Sequence, residues 1–186
     1  MNYLDVLAFH YLAETYLKLN NIGMASHYFE KAMKISPRHL SRGISFGKTL
    51  VHMKRIEEAT QVFDKTIKLS RSTNELREEI ADFCINEGVN EYAAKLLEYI
   101  AKEQPDRAGL HFKLAVIMEK LGDINRAIIY LVNAEAIDKK DLDIKFHLAK
   151  NYLTLGKPIL AEVPLKKLLK MNPDNELAKE LLIKCA

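Results

Sequence analysis

The chain has 186 residues, of which 48% are hydrophobic and 28% charged, with seven glycines and five prolines. This balance excludes a disordered or collagen-like chain and suffices for a sizeable core. The net charge of +3 is too small to indicate nucleic acid or an anionic membrane as the partner. Two cysteines exclude a disulfide framework, and no apolar run reaches the roughly 18 residues of a membrane span. A secretory signal peptide would carry basic residues near the N-terminus, where this chain has Asp5. We therefore expect a cytoplasmic protein.

Small residues recur every 34 residues along the chain, first as Ala25, Ala59, Ala93, Ala127 and Ala161. Four residues later comes a large apolar residue, namely Phe29, Phe63, Leu97, Leu131 and Leu165. A second series with the same spacing is Ala13, Gly47, Ala81, Ala115 and Ala149. The sequence therefore contains five copies without insertion or deletion, at 6–39, 40–73, 74–107, 108–141 and 142–175. Positions are numbered 1 to 34 within each copy.

Apolar residues within each copy are spaced by three and four residues, which predicts two amphipathic helices. We predict first helices at 7–19, 41–53, 75–87, 109–121 and 143–155. Second helices are predicted at 22–35, 56–69, 90–103, 124–137 and 158–171, followed by a capping helix at 176–185. Gly88, Gly122 and Gly156 are expected to end first helices. Pro164 lies inside the fifth second helix and predicts a kink or an irregular turn there.

The first copy contains Phe9, Leu12, Ala13, Tyr16, Ala25, Phe29, Ala32 and Pro37. These residues and the period of 34 resemble the tetratricopeptide repeat (TPR) family over 170 of the 186 residues. The resemblance implies an all-α, right-handed α-solenoid of five TPR helix pairs with a C-terminal capping helix. It also implies one domain over 1–186 with a concave groove. Position 4 departs from the family pattern, since it holds Gly43, Arg77, His111 and Lys145.

The sequence contains no pattern that indicates a catalytic or metal centre. No two of the six histidines have a metal-binding spacing beside a carboxylate, and no glycine-rich phosphate loop occurs. Cys84 occupies a position that is Tyr, Leu or Met in other copies, which favours a core residue. Polar positions do not recur as they do in helical repeats that read RNA. We therefore expect no enzyme activity, cofactor, metal or nucleic acid partner.

In the TPR family, positions 5, 9, 12 and 13 of the first helices line the concave groove. The resemblance places there Ile44, Lys48, Val51, His52, Glu78, Asp82, Ile85, Asn86, Phe112, Val116, Phe146, Lys150 and Leu153. Their apolar members are expected to form a discontinuous exposed track with Phe112 and Phe146 as anchors. The alternative is that neighbouring helices partly cover this track.

Charge is segregated between copies. Copy 74–107 carries nine acidic and four basic residues, whereas copy 40–73 carries seven basic and three acidic residues. Glu75, Glu78 and Asp82 share one helix face, which suits a basic group of a partner. The alternative is an acidic face that simply contacts solvent near a helix N-terminus. The family's clamp for a terminal carboxylate is disfavoured, because no three successive copies carry its Lys and Asn residues.

Together these features predict a non-catalytic scaffold that binds a peptide or helix of a partner protein in its groove. The partner is expected to carry basic and apolar residues, and a membrane partner is not expected. Two alternatives remain open at this stage. The array could self-assemble through its N-terminal end and last helix, or it could be the regulatory segment of a larger signalling protein.

Overall fold

The structure, a computed structural model, describes the chain from Tyr3 to Cys185, apart from the Tyr3 side chain. Residues 1, 2 and 186 of the predicted domain lie outside this description. Within the described range there are eleven helices and no strand. They are α1 (Tyr3–Lys18), α2 (Ile22–Ile35), α3 (Leu40–His52), α4 (Ile56–Leu69), α5 (Thr73–Asn86), α6 (Asn90–Glu103), α7 (Ala108–Lys120), α8 (Ile124–Ile137), α9 (Leu142–Thr154), α10 (Pro158–Met171) and α11 (Glu176–Ile183).

The predicted all-α solenoid of helix pairs is confirmed. All five second helices have the predicted bounds, whereas α1 begins at Tyr3 and α11 ends at Ile183. The irregular turn predicted at Pro164 is absent, because α10 runs unbroken from Pro158 to Met171. Pro164 removes one hydrogen bond from the helix, and its burial in the packed interior holds the surrounding turns in place.

The chain divides into two compact units, one ending at Leu96 and the other beginning at Leu97, inside α6. We call them the N-terminal and C-terminal units. In the C-terminal unit, each helix pair packs against the first helix of the next copy. One cluster consists of Ala115, Leu131, Ala134, Ile144 and Leu148. The next consists of Ala149, Ala161, Leu165, Leu168 and Ala178, so α11 packs as the start of a sixth first helix.

The departures at position 4 have a structural reason. His111 and Lys145 are buried at the start of their first helices, as is Arg42 one position earlier in its copy. Each side chain hydrogen-bonds a turn carbonyl six residues back, at 3.0 Å for Arg42 and 2.8 Å for His111. Lys145 Nζ donates to the carbonyls of Lys139 at 2.5 Å and Asp141 at 3.1 Å. A buried basic side chain thus satisfies backbone acceptors where one copy joins the next.

Gly43 is the one small residue at position 4, and it allows α3 and α4 to approach closely. A Cβ atom at this position would lie 2.2 Å from Thr66 Oγ1. That hydroxyl already donates to the carbonyl of Val62 at 2.7 Å, so it cannot move away without losing a hydrogen bond.

Each of the five first helices is followed, at position 15, by a residue with left-handed backbone. The φ angles are 77°, 79° and 67° at Gly88, Gly122 and Gly156, and 56° and 62° at Asn20 and Lys54. The predicted glycine ends are therefore confirmed, and the two other copies adopt the same conformation without glycine. A residue with a Cβ atom pays about 1 kcal/mol for this conformation.

We predict that Lys54→Gly raises the free energy of unfolding by about 0.5–1 kcal/mol, because it removes the left-handed strain. Gly122→Ala should lower it by about 1 kcal/mol for the opposite reason. Urea unfolding followed by circular dichroism measures both. A Lys54→Gly variant that is less stable than the wild type would contradict the strain at this position.

We also predict that Lys145→Met lowers the free energy of unfolding by about 1–3 kcal/mol, since the carbonyl groups of Lys139 and Asp141 lose their donor. The control is Lys150→Met on the same helix, where the side chain is exposed and the expected change is within about 0.5 kcal/mol. Equal effects of the two substitutions in urea unfolding would show that the Lys145 hydrogen bonds do not stabilise the fold.

Candidate functional site

In the N-terminal unit, two predicted groove residues join the first helices α3 and α5. Lys48 Nζ lies 3.0 Å from Glu79 Oε1 and 5.4 Å from the ring centroid of Phe83. The His52 ring meets Phe83 edge-on at 5.7 Å, and His52 Nδ1 lies 3.4 Å from Glu87 Oε2. Phe83 is therefore flanked by two basic side chains, each held by an acidic one. Sequence analysis did not identify Phe83 or Glu87 as part of this surface.

The predicted acidic face lies on α5 in the same unit. Glu75 is exposed, whereas Glu78 and Asp82 are half-buried and already take part in interactions within the chain. Beside them, Ile85 is half-buried and Asn86 is exposed. The face is acidic, as the sequence indicates, but of its three carboxylates only that of Glu75 belongs to an exposed residue.

The expectation that Val51 belongs to an exposed apolar track is wrong, since Val51 is only 1% exposed. Its position on α3 directs the side chain into the interior, so it stabilises the fold and cannot contact a partner. The other apolar members are all half-buried, namely Ile44, Ile85, Phe112, Val116, Phe146 and Leu153. Neighbouring helices thus cover part of each, which was the alternative left open above.

In the C-terminal unit, Phe112 and Phe146 combine a packed side with an accessible side. Phe112 packs against the cluster that contains Leu131 and Leu148. Phe146 packs with Leu153 against the next cluster. Both rings also contact His147, with centroid distances of 5.1 Å and 6.2 Å and interplanar angles of 88° and 81°. The two rings are therefore fixed in orientation.

His147 is itself held by a largely buried carboxylate on the preceding first helix. Its Nδ1 lies 2.8 Å from Glu119 Oε1, and Asn151 Nδ2 donates to the same oxygen at 2.7 Å. The Glu119 side chain is 13% exposed and that of His147 24% exposed. We call Phe112, Glu119, Phe146, His147 and Asn151 the Glu119 cluster. Sequence analysis did not single out its polar members, although separations of 28 and 32 residues place them on adjacent first helices.

The pKa of Glu119 results from opposing effects. Burial raises the pKa of this carboxyl, whereas hydrogen bonds from His147 and Asn151 and the nearby Lys150 lower it by more. The net result is a pKa below the ordinary value of 4.5. Glu119 is therefore an anion at neutral pH, which suits a role in holding His147 and the two aromatic rings.

The outer side, formed by second helices, is joined by polar contacts between some neighbouring copies. Asp64 accepts a hydrogen bond from Tyr92 at 2.8 Å and pairs with Lys95 at 3.3 Å. At the corresponding position of the next copy, Glu98 pairs with Arg126 and accepts from Tyr130 at 3.0 Å. Position 25 of one copy thus contacts position 19, 22 or 23 of the following copy.

Between α8 and α10 the same positions are apolar. Val132, Leu160 and Val163 replace the acid and its partners, are 46%, 47% and 55% exposed, and line one surface cavity. Ile129 and Ile159 extend this surface and are also exposed. We call these five residues the outer patch. Sequence analysis missed it because it placed all candidate binding residues on the first helices.

The Cys84 thiol is buried in the fold. Burial, together with the nearby Glu87, raises the pKa of the Cys84 thiol to about 12, so little thiolate forms at neutral pH. Between Tyr3 and Cys185, no three His, Cys, Asp or Glu side chains are grouped so as to hold a metal ion. No helix in this range combines the length and the apolar character needed to cross a bilayer.

Comparison with known proteins finds one matching repeat and several solved structures of similar fold. The tetratricopeptide repeat model matches residues 8–39. A crystal structure of MamA superposes with a TM-score of 0.62 at 15% identity, covering 91% of this chain and 92% of that one. YrrB, described as a TPR protein with an unusual peptide-binding site, gives a TM-score of 0.60 at 16% identity, covering 92% and 89%. MamA from Desulfovibrio magneticus RS-1 gives 0.58 at 14% identity, covering 92% and 97%. No curated protein matches the sequence.

We predict that Glu119 stabilises the fold at neutral pH and that this contribution is lost in acid. Because its pKa is lower in the folded state, the contribution is present above the unfolded value of about 4.5 and declines as the pH falls below it. Unfolding of wild type and Glu119→Gln should therefore differ more at pH 7 than at about pH 3.5. A difference that is constant over this range would show that ionisation of Glu119 does not matter.

Proposed function

Because the chain is a tetratricopeptide repeat protein, we propose that it is a non-catalytic scaffold that binds a peptide or helix of a partner protein. In each unit, the binding surface consists of the first-helix positions that line the concave groove in the family. The observation that carries this proposal is the arrangement of Phe112 and Phe146 around His147. Aromatic rings held in a fixed orientation are the kind of anchor that contributes most to protein interfaces.

The Glu119 cluster supports the proposal because it orders the Phe112 and Phe146 rings before a partner binds. Both rings pack against the core and also contact His147. His147 is held in turn by Glu119. Because the two rings are already ordered, the docking of a partner side chain costs little of their conformational entropy. More of the burial energy therefore contributes to affinity. The matching ligand group is an apolar side chain, with Lys150 exposed beside it.

The N-terminal unit supports a second feature of the partner, a basic side chain. Glu75 is exposed, and Glu78 and Asp82 give the same face a negative potential even though they have interactions within the chain. Such a face attracts and orients a Lys or Arg side chain, and its effect decreases with ionic strength. YrrB, which has a similar fold, is described as having an unusual peptide-binding site, and this supports a peptide as the ligand.

The test is selection from a random displayed peptide library on the wild-type protein, followed by fluorescence polarisation with the selected peptides. We predict selection of sequences that combine apolar and basic residues. Their Kd should rise at least about tenfold for Phe112→Ala and Phe146→Ala. Thermal unfolding of each variant confirms that it is folded at the assay temperature.

Two matched controls locate the binding surface. Ile159→Ala changes an equally apolar residue of the outer patch and should leave the Kd unchanged. Glu75→Gln should weaken binding and flatten its salt dependence, whereas Glu91→Gln, an exposed acid at the start of α6, should do neither. Peptides that lose affinity with Ile159→Ala and retain it with the phenylalanine variants would overturn the proposal and assign binding to the outer patch.

A further inference from the structure

The helix α1 exposes a face that is buried in every later copy. At positions 3 and 7, copies two to five bury Arg42, Leu76, Leu110, Ile144, Phe46, Ile80, Leu114 and Leu148. Ile144 and Leu148, for example, pack against Leu131 and Ala134 of the preceding copy. In α1 the same positions hold Ala8 and Leu12, which are both exposed.

The exposed face of α1 is more apolar than stacking within the array requires. Tyr11, at position 6, is 66% exposed, and the same position is polar in the other copies, with Ser45, Glu79, Lys113 and His147. Leu4 is 67% exposed and helical, whereas the corresponding residues of the other copies lie in turns, namely Arg38, Ser72, Asp106 and Lys140. The face therefore differs from the junctions inside the array.

We call Leu4, Ala8, Tyr11, Leu12, Thr15 and Leu19 the α1 stripe. All six are exposed on one side of the helix. Leu19 continues the last turn, since its N–H donates to the carbonyl of Thr15 at 3.0 Å. The Thr15 hydroxyl donates to the carbonyl of Tyr11 at 2.7 Å, so its hydrogen-bonding need is met within the helix. The stripe is about 22 Å long at 1.5 Å per residue.

The spacing of the stripe is symmetric about its midpoint between Tyr11 and Leu12. Leu4 and Leu19 are equally far from this point, and so are Ala8 and Thr15. When two such helices pair antiparallel about a two-fold axis at the midpoint, Leu4 of one lies level with Leu19 of the other. Ala8 then lies level with Thr15, and these small residues let the two helices approach closely. A surface that complements itself in this way is what a two-fold interface requires.

We infer that the α1 stripe is a homodimer interface in which α1 of a second copy packs antiparallel against it. In later copies, positions 3 and 7 of the first helix are covered by the second helix of the preceding copy. A second copy of the chain has no such second-helix surface exposed among its described residues. That surface consists of positions 24 and 27 of the second helices, and all ten of these residues are buried, including Leu165 and Leu168 beneath α11. The inference concerns a face other than the proposed peptide-binding surface and does not depend on it.

The size of the stripe sets the strength of the dimer. Its four large side chains, 40–69% exposed, present roughly 450 Å² per copy, so the pair buries roughly 900 Å² in all. This lies just below the roughly 1,200 Å² of standard specific interfaces. We therefore expect a reversible dimer with a Kd in the micromolar range.

The first test is sedimentation velocity of the full chain from about 5 µM to about 500 µM, which spans that range. The expected result is a monomer–dimer equilibrium whose Kd rises at least about tenfold in Tyr11→Glu, since this residue lies next to the two-fold axis. Ile159→Glu, an exposed apolar residue outside the stripe, should leave the Kd within about twofold. A monomer at all concentrations would overturn the inference and leave the stripe to another protein's helix. Equal effects of the two substitutions would also overturn it.

The second test establishes the arrangement in a Cys185→Ser background, where the remaining Cys84 is buried. Chains with Leu4→Cys and chains with Leu19→Cys are oxidised separately and as a mixture. Only the mixture should form cross-linked dimers efficiently, because a disulfide needs Cα atoms within about 7 Å. Two copies of the same residue lie about 22 Å apart in the antiparallel pair. Efficient cross-linking of either chain alone, or none in the mixture, would overturn the antiparallel arrangement.

Discussion

The fold depends on close contact between the two helices of each copy. At position 8 and at the small residue of the second helix, side chains larger than alanine would hold the helices apart. Ala13, Ala81, Ala115 and Ala149 are fully buried at the first of these positions. Gly47 completes the series, and a Cβ atom there would lie 2.3 Å from the Phe63 ring. With these contacts in place, the larger residues fill the space beside them and create the surface on which the next copy packs.

Because each copy contacts only its neighbours, every junction must also satisfy the backbone groups of the turn that forms it. The chain uses buried basic side chains for this purpose in three copies, with Arg42, His111 and Lys145 each directed at a carbonyl six residues back. His111 donates through Nε2, since a carbonyl can only accept. These residues would look like functional groups on a helix surface if only their chemistry were considered. Their burial and partners identify them as part of the scaffold.

Sequence spacing was sufficient to predict the helices, because a strict period of 34 fixes the boundaries of all copies at once. It could not predict which side chains meet across copies. Glu119 and His147 lie on different first helices, so their contact depends on how one copy packs on the next. Val51 shows the converse, since its position in the family pattern indicates exposure but the α3 packing buries it. At Pro164 the irregular turn is absent, because the surrounding packing outweighs the loss of one helical hydrogen bond.

In a repetitive scaffold, specific function requires departures from the repeated contacts, and the three surfaces identified here all arise in that way. On the outer side, Val132 replaces the acidic residue found at Asp64 and Glu98, so a polar link between copies gives way to exposed apolar area. On the first-helix face, the Glu119 cluster holds two aromatic rings that a standard junction does not need. At α1, Tyr11 occupies a position that is polar in every other copy. Burial of apolar surface is the main driving force for association. Each departure therefore replaces part of a repeated contact with apolar surface that a partner can bury.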